Sequence, residues 1–198
     1  MTKGQFTELI KQRLGWKWGD RTLALHIENA WNQVVGQLFL NDSHQLDLYT
    51  KTYTVDVLSG TPRKYSLLPV KSIQYKDAAN GVRRIHTLCD EQVHFVPMRG
   101  IDFQIFSSLD AGIVNTDVVG YLSKTDRVEY FDIIDDISQV RMDIVPAFSA
   151  WGETDDIMIP QGVAESIYGL VLQAVQGNAP TDFNIFKDQA QIADNKDL

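Results

Sequence analysis

With 198 residues, 44% of them hydrophobic and 22% charged, the chain has enough apolar material for a sizeable core and falls in the size range of one domain. Its formal charge of −8 argues against a nucleic-acid coat, and its single cysteine, Cys89, excludes an internal disulfide framework and a multi-cysteine zinc site. The opening residues lack the apolar stretch of a secretory signal, and no hydrophobic run approaches the roughly 20 residues that span a bilayer. A reducing compartment is the expected place of synthesis.

The charge is unevenly spread. Basic residues outnumber acidic ones by 13 to 9 over residues 1–100, whereas acidic residues lead by 12 to 3 over 101–160 and by 5 to 2 over 161–198. A fold that keeps these segments apart gives complementary faces that stack on neighbours; otherwise the acidic run is a solvated surface.

In chain order, Phe6, Leu9, Ile10 and Leu14 share one stripe at helical spacing, and Gly15 suits the end of that helix. A loop over residues 15–20 follows, with Asp20 placed to cap a second helix. Its Leu23, Ile27, Ala30, Trp31, Val34, Val35 and Leu38 form the best apolar stripe in the chain, most simply a core face. From Tyr49 to Pro146 the period shortens to two, as in residues 53–57, 72–76 and 128–133, the pattern of half-buried strands. Turn residues separate the runs at Gly60, Asn80-Gly81, Arg99-Gly100 and Gly112; Asn80-Gly81 is the strongest hairpin signal. Pro160 fits the first turn of a third helix carrying Val163, Ile167, Leu170, Val171 and Ala174, and Gly177 fits its end. Because strands are grouped rather than alternating with helices, the expected class is α+β: an N-terminal helix pair and a C-terminal helix packed with a mainly antiparallel β region. Residues 1–177 are read as a single domain and 178–198 as an extended or docking tail, polar and acidic apart from Phe183, Ile185 and Phe186.

The search for chemistry finds no phosphate-binding glycine loop and no nucleophile elbow. His86, Cys89, Asp90 and His94 form the one cluster with atoms for a transition metal. A second paired motif for tetrahedral zinc is missing, and regular strand geometry turns His86 and Cys89 to opposite faces. His26 and His44 have no nameable partner. Asp135-Asp136 and Asp155-Asp156 lack the grammar of a calcium loop and read as solvated turns, while Arg63-Lys64 and Arg83-Arg84 lack a stacking platform for nucleic acid. No catalytic residue, metal or cofactor is expected. A deep pocket gathering His86, Cys89 and His94, or the paired aspartates, would favour a catalytic class instead.

Three segments resemble one family. Met1-Thr2-Lys3-Gly4-Gln5-Phe6 with Ile27-Glu28-Asn29-Ala30-Trp31-Asn32-Gln33-Val34-Val35 looks like a helical pair. Tyr65-Ser66-Leu67-Leu68-Pro69-Val70, Gly81-Val82-Arg83-Arg84-Ile85 and His94-Phe95-Val96-Pro97-Met98 look like a strand-and-turn region. Asp156-Ile157-Met158-Ile159-Pro160 and Pro180-Thr181-Asp182 look like a closing helix and extended end. In this order they resemble the head-to-tail connector, or adaptor, ring proteins of short-tailed bacteriophages that infect gut Bacteroidetes, the crAss-like phages. The likeness covers nearly the whole chain by pattern rather than by an invariant motif, and no portal-docking signature is identifiable.

The resemblance implies a virion protein at the head-tail junction, made in the bacterial host cytoplasm. It would form a homo-oligomeric ring, expected to be a dodecamer, against the portal and the neighbouring tail or ring proteins. DNA passes through without specific binding, and no membrane is involved. Trp16, Trp18, Phe183, Ile185 and Phe186 are the candidate subunit or partner contacts, since loops and tails do not strand large aromatics in water without cause. An acidic lumen that repels the passing duplex makes Asp132, Asp135, Asp136 and Asp143 its candidate lining. The alternatives are another non-catalytic assembly or binding module and, after it, an unrecognised hydrolase.

Overall fold

The computed structural model describes residues 1–15, 19–41, 43–75, 80–88, 93–98, 118–131, 133 and 135–177. The fold is mixed α+β, with three helices, α1 (Lys3–Arg13), α2 (Asp20–Leu40) and α3 (Gln161–Val175), and seven strands among the described residues. Backbone contacts group the chain into two compact units. The first joins residues 1–37 to the segment from Trp151 onward, and the second spans Leu38–Ala150. None of the helices in the described residues is long and apolar enough to cross a membrane.

In the first unit, α1 starts at a reciprocal cap. The Gln5 N–H donates to Thr2 Oγ1 at 3.2 Å and the Thr2 N–H to Gln5 Oε1 at 2.9 Å, which satisfies two donors that a bare helix end leaves open. The helix ends at Gly15, whose φ of +73° is open to glycine without penalty. Phe6 and Ile10 are buried on its inner stripe. The next helix begins at Asp20 itself, so the capping position expected for Asp20 falls to Gly19, whose carbonyl accepts from the Leu23 N–H at 3.1 Å. Leu23, Ile27, Ala30, Trp31 and Val35 of its expected stripe are buried, whereas Val34 and Leu38 are half-buried. Pro160 likewise sits one place earlier than expected, at the cap of α3, where its carbonyl accepts from Val163 and Ala164 at 3.0 Å each; Gly177 closes the helix at φ +71°.

Residues far apart in sequence sew this unit together. Lys3 N–H donates to the Asp155 carbonyl at 3.1 Å, Gly4 N–H to Glu153 at 3.0 Å, and Ile157 N–H to Met1 at 2.9 Å. Lys3 Nζ reaches the Trp151 carbonyl at 2.9 Å and Glu153 at 3.0 Å. Arg13 grips both carboxylate oxygens of Glu165 at 2.9 and 3.0 Å and lies over the ring of Tyr168.

The second unit holds β1 (Lys51–Asp56), β2 (Tyr65–Leu67), β3 (Val82–Thr87), β4 (His94–Pro97), β5 (Val118–Ser123), β6 (Arg127–Phe131) and β7 (Gln139–Ile144). They form a three-stranded sheet, β1-β7-β3, and a four-stranded sheet, β2-β6-β5-β4. All ladders are antiparallel but one: β4 pairs with β5 in parallel. Side chains from both sheets share one core, including Val55, Ile85, Tyr121, Tyr130, Met142 and Ile144. The sheets are tied at one edge, where Leu58 and Tyr65 exchange backbone hydrogen bonds of 2.7 and 3.0 Å. Behind that bridge Tyr130 OH donates to Ser66 Oγ at 2.9 Å, and Ser66 Oγ donates on to the Asp56 carbonyl at 2.8 Å. Burial raises the pKa of the Tyr130 hydroxyl and keeps it a donor, although the Ser66 bond pulls the other way.

Two expectations on strands need correction. Of the run 72–76, the described residues 72–75 form no continuous strand: Ser72 makes an isolated bridge to Pro146, and Tyr75 is a separate bridge residue. Asn80-Gly81 is not the tip of a simple hairpin either, because β3 takes its ladder from β7. Asn80 is buried, donating from Nδ2 to the Lys124 carbonyl at 2.7 Å and accepting from the Val82 N–H at 3.2 Å. Gly81 does not adopt a left-handed φ; it is needed for closeness. The Val145 N–H donates to its carbonyl at 2.9 Å, and an added Cβ would lie 2.5 Å from the Val145 carbonyl oxygen.

Gly81→Ala is therefore expected to destabilise the protein by about 1–3 kcal/mol through a backbone clash. At Gly120 an added Cβ meets only the end of the Met98 side chain, so Gly120→Ala should cost less. Urea unfolding midpoints of the two variants check the order, and an unchanged midpoint for Gly81→Ala would contradict it.

Candidate functional site

Alternation along β3 breaks at Val82-Arg83-Arg84-Ile85, where both apolar residues are buried with two arginines between them. Such a pattern fits a strand only with an extra residue, and the ladder to β7 does skip one: Val82 faces Ile144, and Arg84 faces Asp143. The bulge frees Arg83 to turn away from the sheet. Its guanidinium donates to Asp47 Oδ1 on the single-turn helix His44–Leu48 and, at 3.3 Å, to Thr50 Oγ1. That hydrogen bond holds the Asp47 carboxyl pKa below its ordinary value.

Beyond the bulge, β3 and β4 border a cleft of about 470 Å³. Ile85, Val93, Phe95 and Tyr121 supply apolar lining, and Arg84, His86 and His94 are exposed along it. Phe95 meets the ring of Tyr130 edge-on, with centroids 6.0 Å apart, so the apolar side of the cleft is continuous with the core. His86 Nε2 lies 3.2 Å from Asp143 Oδ2, and the other oxygen of that carboxylate accepts from Thr52 Oγ1 at 2.7 Å. Thr52, Asp143 and His86 thus form a polar row across the outer face of β1, β7 and β3. Burial pushes Tyr121 up to about 12, which keeps its phenol neutral and unsuited to act as a base near neutral pH.

The structure brings two of the sequence-nominated residues, His86 and His94, to one cleft. Cys89 and Asp90 lie outside the described residues. Among the described residues no group of three or more His, Cys, Asp or Glu is placed to hold a metal ion. The candidate contacts Trp16, Trp18, Phe183, Ile185 and Phe186 also lie outside the described residues, as does Asp132. Asp135 and Asp136 occupy the turn between β6 and β7. Both are exposed, and Lys64 bonds the Asp135 carboxylate and lowers its pKa. Asp143, four residues into β7, is half-buried and held as described above.

Residue-type searching passed over a second charged group. Glu129 of β6 is 9% exposed and accepts from Lys124 Nζ at 2.7 Å and Arg127 Nε at 2.9 Å. Burial raises its pKa, but the two cationic donors outweigh that and leave it lowered. Glu129 Oε1 takes both cations beside the β5–β6 turn, so the cluster fastens that turn. Alternating charge at Lys124, Asp126, Arg127 and Glu129 was the available signal.

No protein-family model and no curated protein matches the chain. The fold defines the class, a mixed α+β protein with a two-sheet β unit and, among the described residues, a cleft between two strand edges.

A carboxylate held below its ordinary value of 4.5 adds stability above that pH and loses it as pH falls through the lowered value. Glu129→Gln should therefore lower neutral-pH stability by about 1 kcal/mol, a figure kept small because both cations are partly solvated. It should also flatten the loss on acidification below pH 4.5. Urea unfolding at neutral and acidic pH reads both effects, and parallel pH profiles for variant and parent would contradict the assignment.

Proposed function

We propose that the protein is a structural virion subunit that forms a ring in the head-to-tail connector of a short-tailed bacteriophage, between portal and tail. The observation that carries the reading is the order of elements. The segments that resemble the connector family fold as a helix pair at α1 and α2, a strand-and-turn region containing β2, β3 and β4, and a closing helix at α3.

In this role the chain is not an enzyme. It contacts further copies of itself, expected to be twelve in the ring, together with the portal and neighbouring tail proteins. A closed ring needs one face of each subunit to meet a different face of the next. Exposed Leu25, Leu67, Val96 and Met158 on different elements supply apolar surface for such contacts. Asp135 and Asp136 are the described residues best exposed to line the conduit, with Lys64 offsetting part of the charge at Asp135. Asp143 contributes less, since Thr52 and His86 already engage it.

Gold-labelled antibody against the chain is expected to mark the junction between head and tail in imaged virions; label elsewhere, or none, would contradict the reading. In particles carrying Asp135→Lys and Asp136→Lys together, DNA release should be several-fold slower because the lining would attract phosphate. Unchanged release with intact particles would remove the lumen assignment while leaving the ring.

A further inference from the structure

We infer that the cleft between β3 and β4 receives residues 182–186 of a second copy of the chain as an added strand. The inference rests on the ring reading above and names one of its subunit contacts.

Both walls of the cleft are sheet edges. β3 has its ladder partner, β7, on one side, and β4 has its partner, β5, on one side. In a parallel pair, alternate residues turn both backbone groups toward the partner. The Met98 N–H bonds the Tyr121 carbonyl at 2.8 Å, which fixes that parity: Val96, two residues earlier, faces β5, and the Phe95 N–H and C=O face the cleft. Pro97 offers only its carbonyl there. An edge with one donor and two acceptors over four residues is a short template for strand addition.

The lining specifies what can sit on it. Side chains of an added strand alternate between faces, so an occupant needs apolar residues two apart to cover Ile85, Val93, Phe95 and Tyr121, with polar residues between them. The exposed guanidinium of Arg84 on the rim, with the polar rings of His86 and His94 beside it, favours a negatively charged occupant. Asp182-Phe183-Asn184-Ile185 has that alternation, and residues 178–198 carry four aspartates against two lysines. Five extended residues span roughly 17 Å, enough to run the length of β4. Docking on a different copy gives the head-to-tail contact that a ring requires.

Two full-length variants in a Cys89→Ser background test this, one carrying His94→Cys and the other Asn184→Cys. Mixed under mild oxidation, they are expected to give a disulfide-linked heterodimer as the dominant species on a non-reducing gel, with light scattering recording assembly of the same sample. Assembly without that cross-link would overturn the docking and leave the ring reading in place. A cross-link only within one chain carrying both substitutions would overturn it as well. Neither assembly nor cross-link would remove both. Arg84→Glu should weaken the heterodimer several-fold, with recovery when the partner carries Asp182→Arg; equal yields in all combinations would contradict the role of charge.

Discussion

The β unit depends on the register of β7. This strand is paired on both sides, and its inward residues Val140, Met142 and Ile144 are each 0% exposed, while Gln139, Arg141 and Asp143 face outward. A slip of one residue would drive Arg141 and Asp143 into the core and expose all three apolar side chains. Each buried side chain of that size stabilises the fold by about 1.5–3 kcal/mol, and an unpaired buried charge costs more than that, so one register is strongly selected. The strand then extends its influence through Val145, which donates to Gly81 and accepts from Ile73. Closeness at Gly81, the bulge at Arg83 and the position of β3 all follow from it.

With β3 placed by β7 and β4 placed by β5, the edge where these two strands face each other has no further strand among the described residues, while the opposite edge is closed. Leu58 and Tyr65 bridge the closed edge, backed by the buried relay from Tyr130 through Ser66 to Asp56. A two-sheet fold sealed at one seam and open at the other offers a defined place for a partner strand. The cleft there has an apolar floor continuous with the core and the Arg84 guanidinium on its rim. The His86–Asp143 pair contributes polarity beside it.

Helices were the most legible part of the sequence, because a stripe such as Leu23, Ile27, Trp31 and Val35 repeats over many turns and needs no distant partner to be recognised. Gly15 and Gly177 were legible for the same local reason: both end helices with positive φ. Strands β1 and β6 showed their alternation, but their partners did not. Asn80-Gly81 has the composition of a tight turn, yet its role is set by Val145, more than sixty residues away. The parallel pairing of β4 with β5 and the ties of Lys3 and Gly4 to residues 151–155 are likewise long-range choices that no local pattern encodes. At the candidate site, His86 and His94 were singled out from residue type. The cleft between them was not, because it arises from which strand edges are left unpaired; the broken alternation at Arg83-Arg84 was the trace of it in the sequence.

Subunits of a ring need surfaces that complement a different surface of the next copy, and under the proposed ring reading the uneven charge along the chain, the strand edges at the cleft and the exposed apolar residues would supply them. The most direct measurement is the mass of the purified full chain by light scattering, alone and with a portal ring, followed by negative-stain imaging. The account predicts closed rings, either free or seated on the portal. A strict monomer that associates with no virion ring would contradict it.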